Sequence, residues 1–187
     1  MNKKILMISV VFLAVALLAL PIASALSRAH VEKLAVTHMG TGLAVVTPLS
    51  PPKLLPPDSA PPRVVTFHIQ LVVPITLTIH SSTEEILTGE SRSEVTGIRH
   101  NKVVEGTIVS QRTMHFAKGT WAFSEGTFEG DYIYVVAKPD MAGPASMKIV
   151  QMTLYGTGEF EGQTLTINYD GPQFEASFTG VLYRPVG

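Results

Sequence analysis

The sequence predicts an all-β fold: a single antiparallel, closed β-barrel of about eight strands that follows an N-terminal signal helix and a proline-rich linker. The first sign is the stretch Val64–His80, in which every odd position from Val65 is apolar and the even positions are mostly Thr, His, Gln or Pro. A period of two is expected when a strand buries one face. The second sign is a series of shorter alternating segments behind it, and the third is the glycines at their ends and inside them.

Residues 1–25 are predicted to be a secretory signal peptide. Lys3 and Lys4 form a short basic start, an apolar run covers residues 5–20, and the segment ends in Ala-Ser-Ala, the small-x-small pattern of signal peptidase sites. The alternative is an uncleaved membrane anchor, although the apolar run is shorter than the roughly 20 residues of a membrane span. In either case we expect an exported protein, secreted or held on the exterior of the cell envelope.

Residues 26–63 are predicted to be an N-terminal segment and linker, and residues 64–187 the barrel domain. In residues 26–47 we expect a short helix followed by a strand over the sequence LAVV. Residues 47–63 hold seven of the 13 prolines. Such a density is incompatible with the interior of a helix or sheet and is typical of an extended spacer.

Charge and cysteine content exclude several functions. Without the signal peptide the chain keeps 12 of its 14 basic residues and all 15 acidic residues, a net charge of 12 − 15 = −3. No basic patch is visible, so no nucleic-acid partner is expected. The chain has no cysteine. This excludes thiol catalysis and cysteine-ligated zinc, and the core alone must stabilise the exported domain.

The remaining elements follow from the alternation and from the turn residues between segments. Within residues 64–80 we expect a bend or break at Pro74, since proline cannot donate to a β-ladder; two strands or one sharply coiled strand fit equally well. Residues 81–90 match a capping box and predict at most one or two helical turns. Further strands are predicted at 103–116, 119–129, 131–137, 150–161, 164–169 and 174–182. The turns between them are placed near Asn101-Lys102, Lys118-Gly119, Gly130-Asp131, Glu161-Gly162-Gln163 and Asp170-Gly171-Pro172.

A short motif recurs as GTFEG at 126–130, GEFEG at 158–162 and, more weakly, SFTG at 177–180. We interpret it as a buried aromatic residue, one polar residue and then a glycine where a strand enters a hairpin. A sandwich is the alternative to a barrel. Glycines inside strands favour the barrel, because they allow a sheet to bend tightly; they are Gly106, Gly126, Gly156 and Gly158.

The serial hairpins GTWAFSEGTFEGDYIYVV and YGTGEFEGQTLTINYDGP resemble those of the allene oxide cyclase and dirigent type of eight-stranded β-barrel. The resemblance covers about residues 64–184 and concerns the geometry of the barrel. It implies an interior that accepts a small apolar molecule. The catalytic residues of that family have no recognisable counterpart in this sequence, so its cyclase or coupling activity is not expected here.

Arg112 is the main local anomaly. If Val104, Ile108, Met114 and Phe116 mark the buried face of their strand, then Ser110 and Arg112 lie on it too. A buried arginine needs a carboxylate or a ligand anion, and the functional hypothesis is that Ser110 and Arg112 form the polar floor of a ligand pocket. The alternatives are a bulge in the strand, or an Arg112 that reaches water at the barrel mouth. The candidate carboxylate partners are Glu105, Glu125 and Glu175.

The aromatic residues Trp121, Phe123 and Tyr134 are the other candidate ligand-binding residues, although such side chains also simply fill small barrels. None of the six histidines has the spacing His-x-His or His-x-x-x-His, and His68 and His80 share the polar phase of their strand. No metal site or cofactor is therefore predicted. There is also no Gly-x-Ser-x-Gly motif to activate a serine, so no catalytic residue is assigned.

Three functions compete on these observations. The first is the binding of a small hydrophobic ligand or surface component in the barrel, which requires a continuous apolar cavity. The second is a structural or adhesive cell-envelope domain with a filled core, for which an exposed apolar patch would be the sign. The third is an isomerase-like or cyclase-like enzyme, which needs an inward titratable group. A membrane contact is expected only through an uncleaved N-terminus. The sequence is compatible with an oligomer.

Overall fold

A computed structural model describes residues 30–40, 44–50, 59–173 and 177–186. The predicted signal peptide and residues 51–58 of the proline-rich segment lie outside this described part. The described part contains no helix that is long and apolar enough to span a membrane. It consists of ten strands: β1 His30–Gly40, β2 Val45–Pro48, β3 Val64–His80, β4 Glu85–Val104, β5 Thr107–Phe123, β6 Gly126–Lys138, β7 Ser146–Gly158, β8 Thr164–Asn168, β9 Asp170–Pro172 and β10 Ser177–Val186.

The strands form one sheet in which eight members pair in a ring. The order runs β1-β10-β8-β7-β6-β5-β4-β3, and β3 pairs again with β1. Every pair with a defined register is antiparallel. The all-β, antiparallel prediction is therefore confirmed for the described residues. β2 pairs with the other half of the β3 edge that β1 uses, and β9 pairs with β7.

The ring begins earlier in the chain than the predicted domain boundary at residue 64. β1 precedes the proline-rich segment, yet its residues 35–40 pair with residues 75–80 of β3. The compact unit of the fold accordingly covers residues 33–184. Residues 30–40 form a strand where a short helix was predicted, because Leu34, Val36 and His38 alternate with exposed or half-buried positions. The described strand residues 30–32 and 185–186 belong to a second unit.

β3 is a continuous strand and does not break at Pro74. Its registered pairing with β4 runs from Val64 to Ile79 and includes Pro74 opposite Glu90. On its other edge, β2 pairs up to Val72 and β1 pairs from Ile75. Pro74 thus lies in the interval between these two partners, where a ladder is already interrupted and a missing N–H is tolerated.

The segment 81–90 forms no helix. Residues 81–83 bend, and β4 begins at Glu85 opposite Ile79. The capping-box pattern does not produce a helix here, because the chain continues at once as the long strand β4, which pairs with β3 on one side and β5 on the other. The hairpin between β4 and β5 turns at Glu105 and Gly106, which have φ angles of 47° and 78°. Both values lie in the left-handed region that two-residue hairpins use.

Several predicted turns are strand interiors. Gly119 and Gly130 lie opposite each other in the middle of β5 and β6, and Asn101 and Lys102 lie within β4. The absence of a side chain at Gly119 makes room for Tyr132, since a Cβ there would come within 2.8 Å of the Tyr132 ring. These glycines admit a neighbouring aromatic ring or backbone rather than ending a strand.

The core contains the aromatic residues of the two Gly-x-Phe-x-Gly motifs. Phe128 and Phe160 are almost fully buried, with exposed fractions of 0% and 3%. Their rings stack with centroids 4.7 Å apart, and Phe123 meets both edge-on. The prediction that the motif aromatic is buried is confirmed for these two copies. This aromatic cluster occupies one part of the interior, and aliphatic residues of β1, β3, β7, β8 and β10 complete the core.

Candidate functional site

The interior of the ring contains a cavity of about 330 Å³, here called the main cavity. Each of the eight ring strands contributes at least one side chain to its wall. The wall is mostly apolar and aromatic. Its members include Leu71, Val73, Ile75, Trp121, Met147, Ile149, Met152, Ile167 and Phe178.

His38 is the most unusual residue in this wall. It lies on β1, is only 7% exposed, and neither ring nitrogen has a hydrogen-bond partner in the described part of the chain. Its ring stacks on Trp121 with centroids 4.3 Å apart and lies 5.2 Å from the ring of Phe178. Burial lowers the pKa of His38 to about 4, because a charged imidazolium is poorly solvated among apolar side chains. At neutral pH the ring is neutral, with one donor and one acceptor nitrogen.

Tyr132, Tyr134 and Ser91 add polar groups to the wall. The hydroxyls of Tyr132 and Ser93 are hydrogen-bonded to each other, which fixes the Tyr132 ring above Gly119. Tyr134 stacks on His115 with centroids 4.3 Å apart. Burial raises the pKa of both tyrosines, so both remain protonated at neutral pH. Ser91, 8% exposed, lies opposite Trp121 in the β4–β5 register and also lines the main cavity.

Three of the five predicted ligand-binding residues lie in the interior. Trp121 and Tyr134 line the main cavity. Phe123 is buried in the aromatic cluster with Phe128 and Phe160 and is not part of the cavity wall. For Phe123 the structure therefore shows the packing role that was the alternative to ligand binding.

The prediction for Arg112 and Ser110 rests on a wrong assignment of the buried face. Arg112 is exposed, as are Met114 and Phe116, at 39% and 41%. The buried positions of this strand are the odd ones, Thr113 among them.

The cause is a β-bulge. Lys102 pairs with Ser110 and Val103 with Ile108, which leaves Val109 as an extra residue and inverts the alternation behind it. Arg112 and Ser110 instead border an open surface groove together with His100, Lys102 and Pro139. No carboxylate pairs with Arg112 in the described residues, and Glu175 lies outside them.

No protein-family model matches this chain, and no curated protein or solved structure is detectably similar to it. The interior of the ring is therefore the main indication of function.

Sequence reasoning missed His38 and Tyr132. A signal for His38 was present, because Leu34, Val36 and His38 keep the period of two that marks a buried strand face. Tyr132 has no local sequence signal that distinguishes it from the other aromatic residues. Its position above a glycine depends on the pairing of β5 with β6, which no local pattern reveals.

The main cavity offers neutral polar groups, chiefly the His38 ring, in an apolar wall. None of the described residues in its wall is Asp, Glu, Lys or Arg. The described residues also contain no cluster of three or more His, Asp or Glu side chains that could hold a metal ion. An isomerase-like activity would need an inward titratable group, and His38 supplies one at a position that the sequence reasoning did not consider. Binding of an apolar molecule with one hydrogen-bonding group fits this wall directly.

Proposed function

We propose that this chain is an exported protein whose eight-stranded ring closes into a β-barrel, as in the allene oxide cyclase and dirigent type, and that the main cavity binds a small hydrophobic molecule. The observation that carries the proposal is the cavity wall, to which all eight ring strands contribute mostly apolar side chains. Its volume of about 330 Å³ lies within the range of about 300–1,000 Å³ that is usual for small-molecule sites.

The proposal of a bound ligand is supported by His38, whose ring nitrogens have no hydrogen-bond partner among the described residues. A buried polar atom without a hydrogen bond costs about 1–3 kcal/mol, because water has been removed and nothing replaces it. A ligand hydroxyl or carbonyl group placed against the His38 ring would offset this cost. The preferred ligand is therefore apolar over most of its surface and carries one neutral polar group that faces β1.

Export follows from the N-terminal sequence. The basic start, the apolar run and the Ala-Ser-Ala end of residues 1–25 favour a cleaved signal peptide. The absence of cysteine is compatible with this compartment because the ring has a core of its own. Recovery of the protein outside the cytoplasm tests export, and its intact mass tests cleavage: a mass equal to residues 26–187 supports a cleaved signal peptide, and a mass that includes residues 1–25 refutes cleavage.

Native mass spectrometry before and after organic extraction tests the ligand. We expect the purified protein to lose mass on extraction. Val73→Trp fills part of the cavity, because Val73 lines it, and should abolish this loss. Val72→Trp is the matched control, since Val72 is the neighbouring position on β3, does not line the cavity, and should leave the loss unchanged. Equal extraction from both variants would show that the bound molecule lies elsewhere, and no extractable mass in the wild type would favour a filled, structural barrel.

A second candidate function is supported by the outer face of β4–β6. Ile98, Met114 and Val135 lie side by side across these strands, and Phe116 lies beside Ile133 in the next row. Met114 and Phe116 are the most exposed, and such a continuous apolar surface is typical of protein contacts. In a structural or adhesive domain, this apolar face would pack against the same face or another surface of a second copy of the chain. Sedimentation velocity tests this candidate: Met114→Ser with Phe116→Ser should abolish concentration-dependent association, and a monomeric wild type would refute it.

A further inference from the structure

A second, smaller cavity of about 150 Å³ lies next to the main cavity and differs from it in chemistry. We call it the cationic pocket. Its polar wall is formed by Arg99, Gln111, Thr113, His115, Lys138 and Gln173. The first five lie on neighbouring strands in register, since Arg99 pairs with Thr113 and Gln111 pairs with Lys138.

Among the described residues, two cations line this pocket and no Asp or Glu does. Neither Arg99 nor Lys138 forms an ion pair within the described part of the chain. The Nε atom of Arg99 and the Nδ1 atom of His115 are buried, and neither has a hydrogen-bond partner among the residues that the structure describes. Buried cationic donors are costly unless an anion pairs with them.

The guanidinium of Arg99 is held in place by aromatic rings. Its Cζ atom lies 5.4 Å from the centroid of Phe67, within the range of a cation–π contact. Phe67 in turn meets the His115 ring edge-on. Burial and the charge of Arg99 lower the pKa of His115 to about 4, so His115 is neutral at pH 7 and offers hydrogen bonding without charge. The positive charge of the pocket therefore comes from Arg99 and Lys138.

The two cavities adjoin each other. Gln173 lines both of them. Tyr134 lines the main cavity and stacks on His115, which lines the cationic pocket. A molecule that fills the main cavity can thus present one end to Arg99 and Lys138.

We propose that the cationic pocket binds the anionic head group of an amphiphile whose apolar part occupies the main cavity. The inference rests on the proposed hydrophobic ligand and specifies its class: an apolar body with a carboxylate, sulfate or phosphate at one end. Arg99 provides directional donors to the anion, and Lys138 adds a second charge. The neutral polar groups of the main cavity serve the body of the same molecule.

Titration of the full chain with decanoate, decyl sulfate and decanol tests the proposal, with the fluorescence of Trp121 as readout. Trp121 is the single tryptophan and lies in the main-cavity wall, so it reports occupation of the apolar part. The three probes share one alkyl chain and differ in the head group. We expect both anions to bind about tenfold or more tightly than decanol, as charge-assisted hydrogen bonds to a buried site should provide.

Arg99→Gln and Lys138→Gln should each weaken binding of the anions about tenfold and leave decanol unchanged. Arg112→Gln is the matched control: it removes the same charge from the neighbouring strand, but from an exposed position outside the pocket, and should leave all three affinities unchanged. Circular dichroism of each variant shows whether it folds, and the two separate variants keep the test independent of either one.

The outcomes separate this proposal from the proposed function. Decanol binding with no preference for anions would refute the head-group site and leave the hydrophobic ligand standing. Loss of decanol and anion binding to the same extent in Arg99→Gln and Lys138→Gln would show that these residues are structural, and would also refute the site. Failure of all three probes to perturb Trp121 would count against both proposals. A preference for one anion over the other would identify the head group.

Discussion

Replacing His38 by phenylalanine should change the dependence of stability on pH. The native ring is neutral because burial lowers its pKa from 6.5 to about 4. Between these values the unfolded chain binds a proton that the folded chain does not, so the free energy of unfolding rises with pH in this window. Stability supported by the neutral ring is fully present above pH 6.5 and is lost as the pH falls towards 4.

The magnitude follows from the size of this pKa difference. Each pKa unit corresponds to about 1.36 kcal/mol, so His38 alone should lower the free energy of unfolding by about 3 kcal/mol between pH 7.5 and pH 4. His115, with its pKa also lowered to about 4, acts in the same direction. Its contribution is the same in wild type and variant and cancels when the two are compared.

Urea unfolding followed by Trp121 fluorescence at pH 7.5 and pH 4 measures the effect. His38→Phe keeps an aromatic ring against Trp121 and removes the titrating nitrogens. We expect the wild type to lose about 3 kcal/mol more than the variant between the two pH values. Any change in packing affects both pH values alike and therefore drops out of the comparison. His100→Gln, at an exposed position of β4, controls for the loss of a histidine in itself. Parallel pH profiles for wild type and His38→Phe would refute the assignment of His38 as a buried neutral group.

Two further substitutions test the packing of the ring. Phe128→Ala should lower the free energy of unfolding by about 3–5 kcal/mol, since Phe128 is fully buried and stacked on Phe160. Its control is Phe116→Ala, at a residue 41% exposed, which should lower the free energy of unfolding by no more than about 1 kcal/mol. Similar urea midpoints for the two variants would contradict the assigned faces. Gly97→Ala should lower the free energy of unfolding by about 1–3 kcal/mol, because the added Cβ would overlap the Phe67 ring. Its control is Gly143→Ala, whose Cβ would meet nothing closer than 3.7 Å. Equal thermal midpoints for these two variants would disprove the overlap.

The sequence predicted those features of the fold that are local. The period of two in residues 64–80 and the buried aromatics of the Gly-x-Phe-x-Gly motifs depend on which neighbours share a face, and both are found. The closure of the ring by β1 is not local. β1 pairs with β3, about 40 residues further along the chain, and no pattern within residues 30–40 predicts that partner.

The errors have two physical causes. A glycine in a β-rich chain marks either a turn or a close approach, and only the residue packed opposite decides between them. Gly119 beneath Tyr132 is of the second kind, so the predicted turn there was wrong. An extra residue in a strand inverts every later position, and the bulge at Val109 moved Arg112 to the outer face. The arginine that faces the interior is Arg99, a partly buried residue on the neighbouring strand and directly opposite Thr113.

The same groups that lower the stability of the fold would give it affinity for a ligand. Nitrogen atoms of His38, Arg99 and His115 have no hydrogen-bond partner among the described residues, and each lowers the stability of the folded chain. A ligand that satisfies them binds only the folded state, and at a concentration 100 times its Kd it adds about 2.7 kcal/mol to the free energy of unfolding. Replacing His38 by phenylalanine removes one such cost and one such contact together. The variant should therefore gain stability without ligand and gain less than the wild type when ligand is added. A structural role for His38 predicts the opposite pairing, with lower stability in the absence of ligand and an unchanged increment on binding.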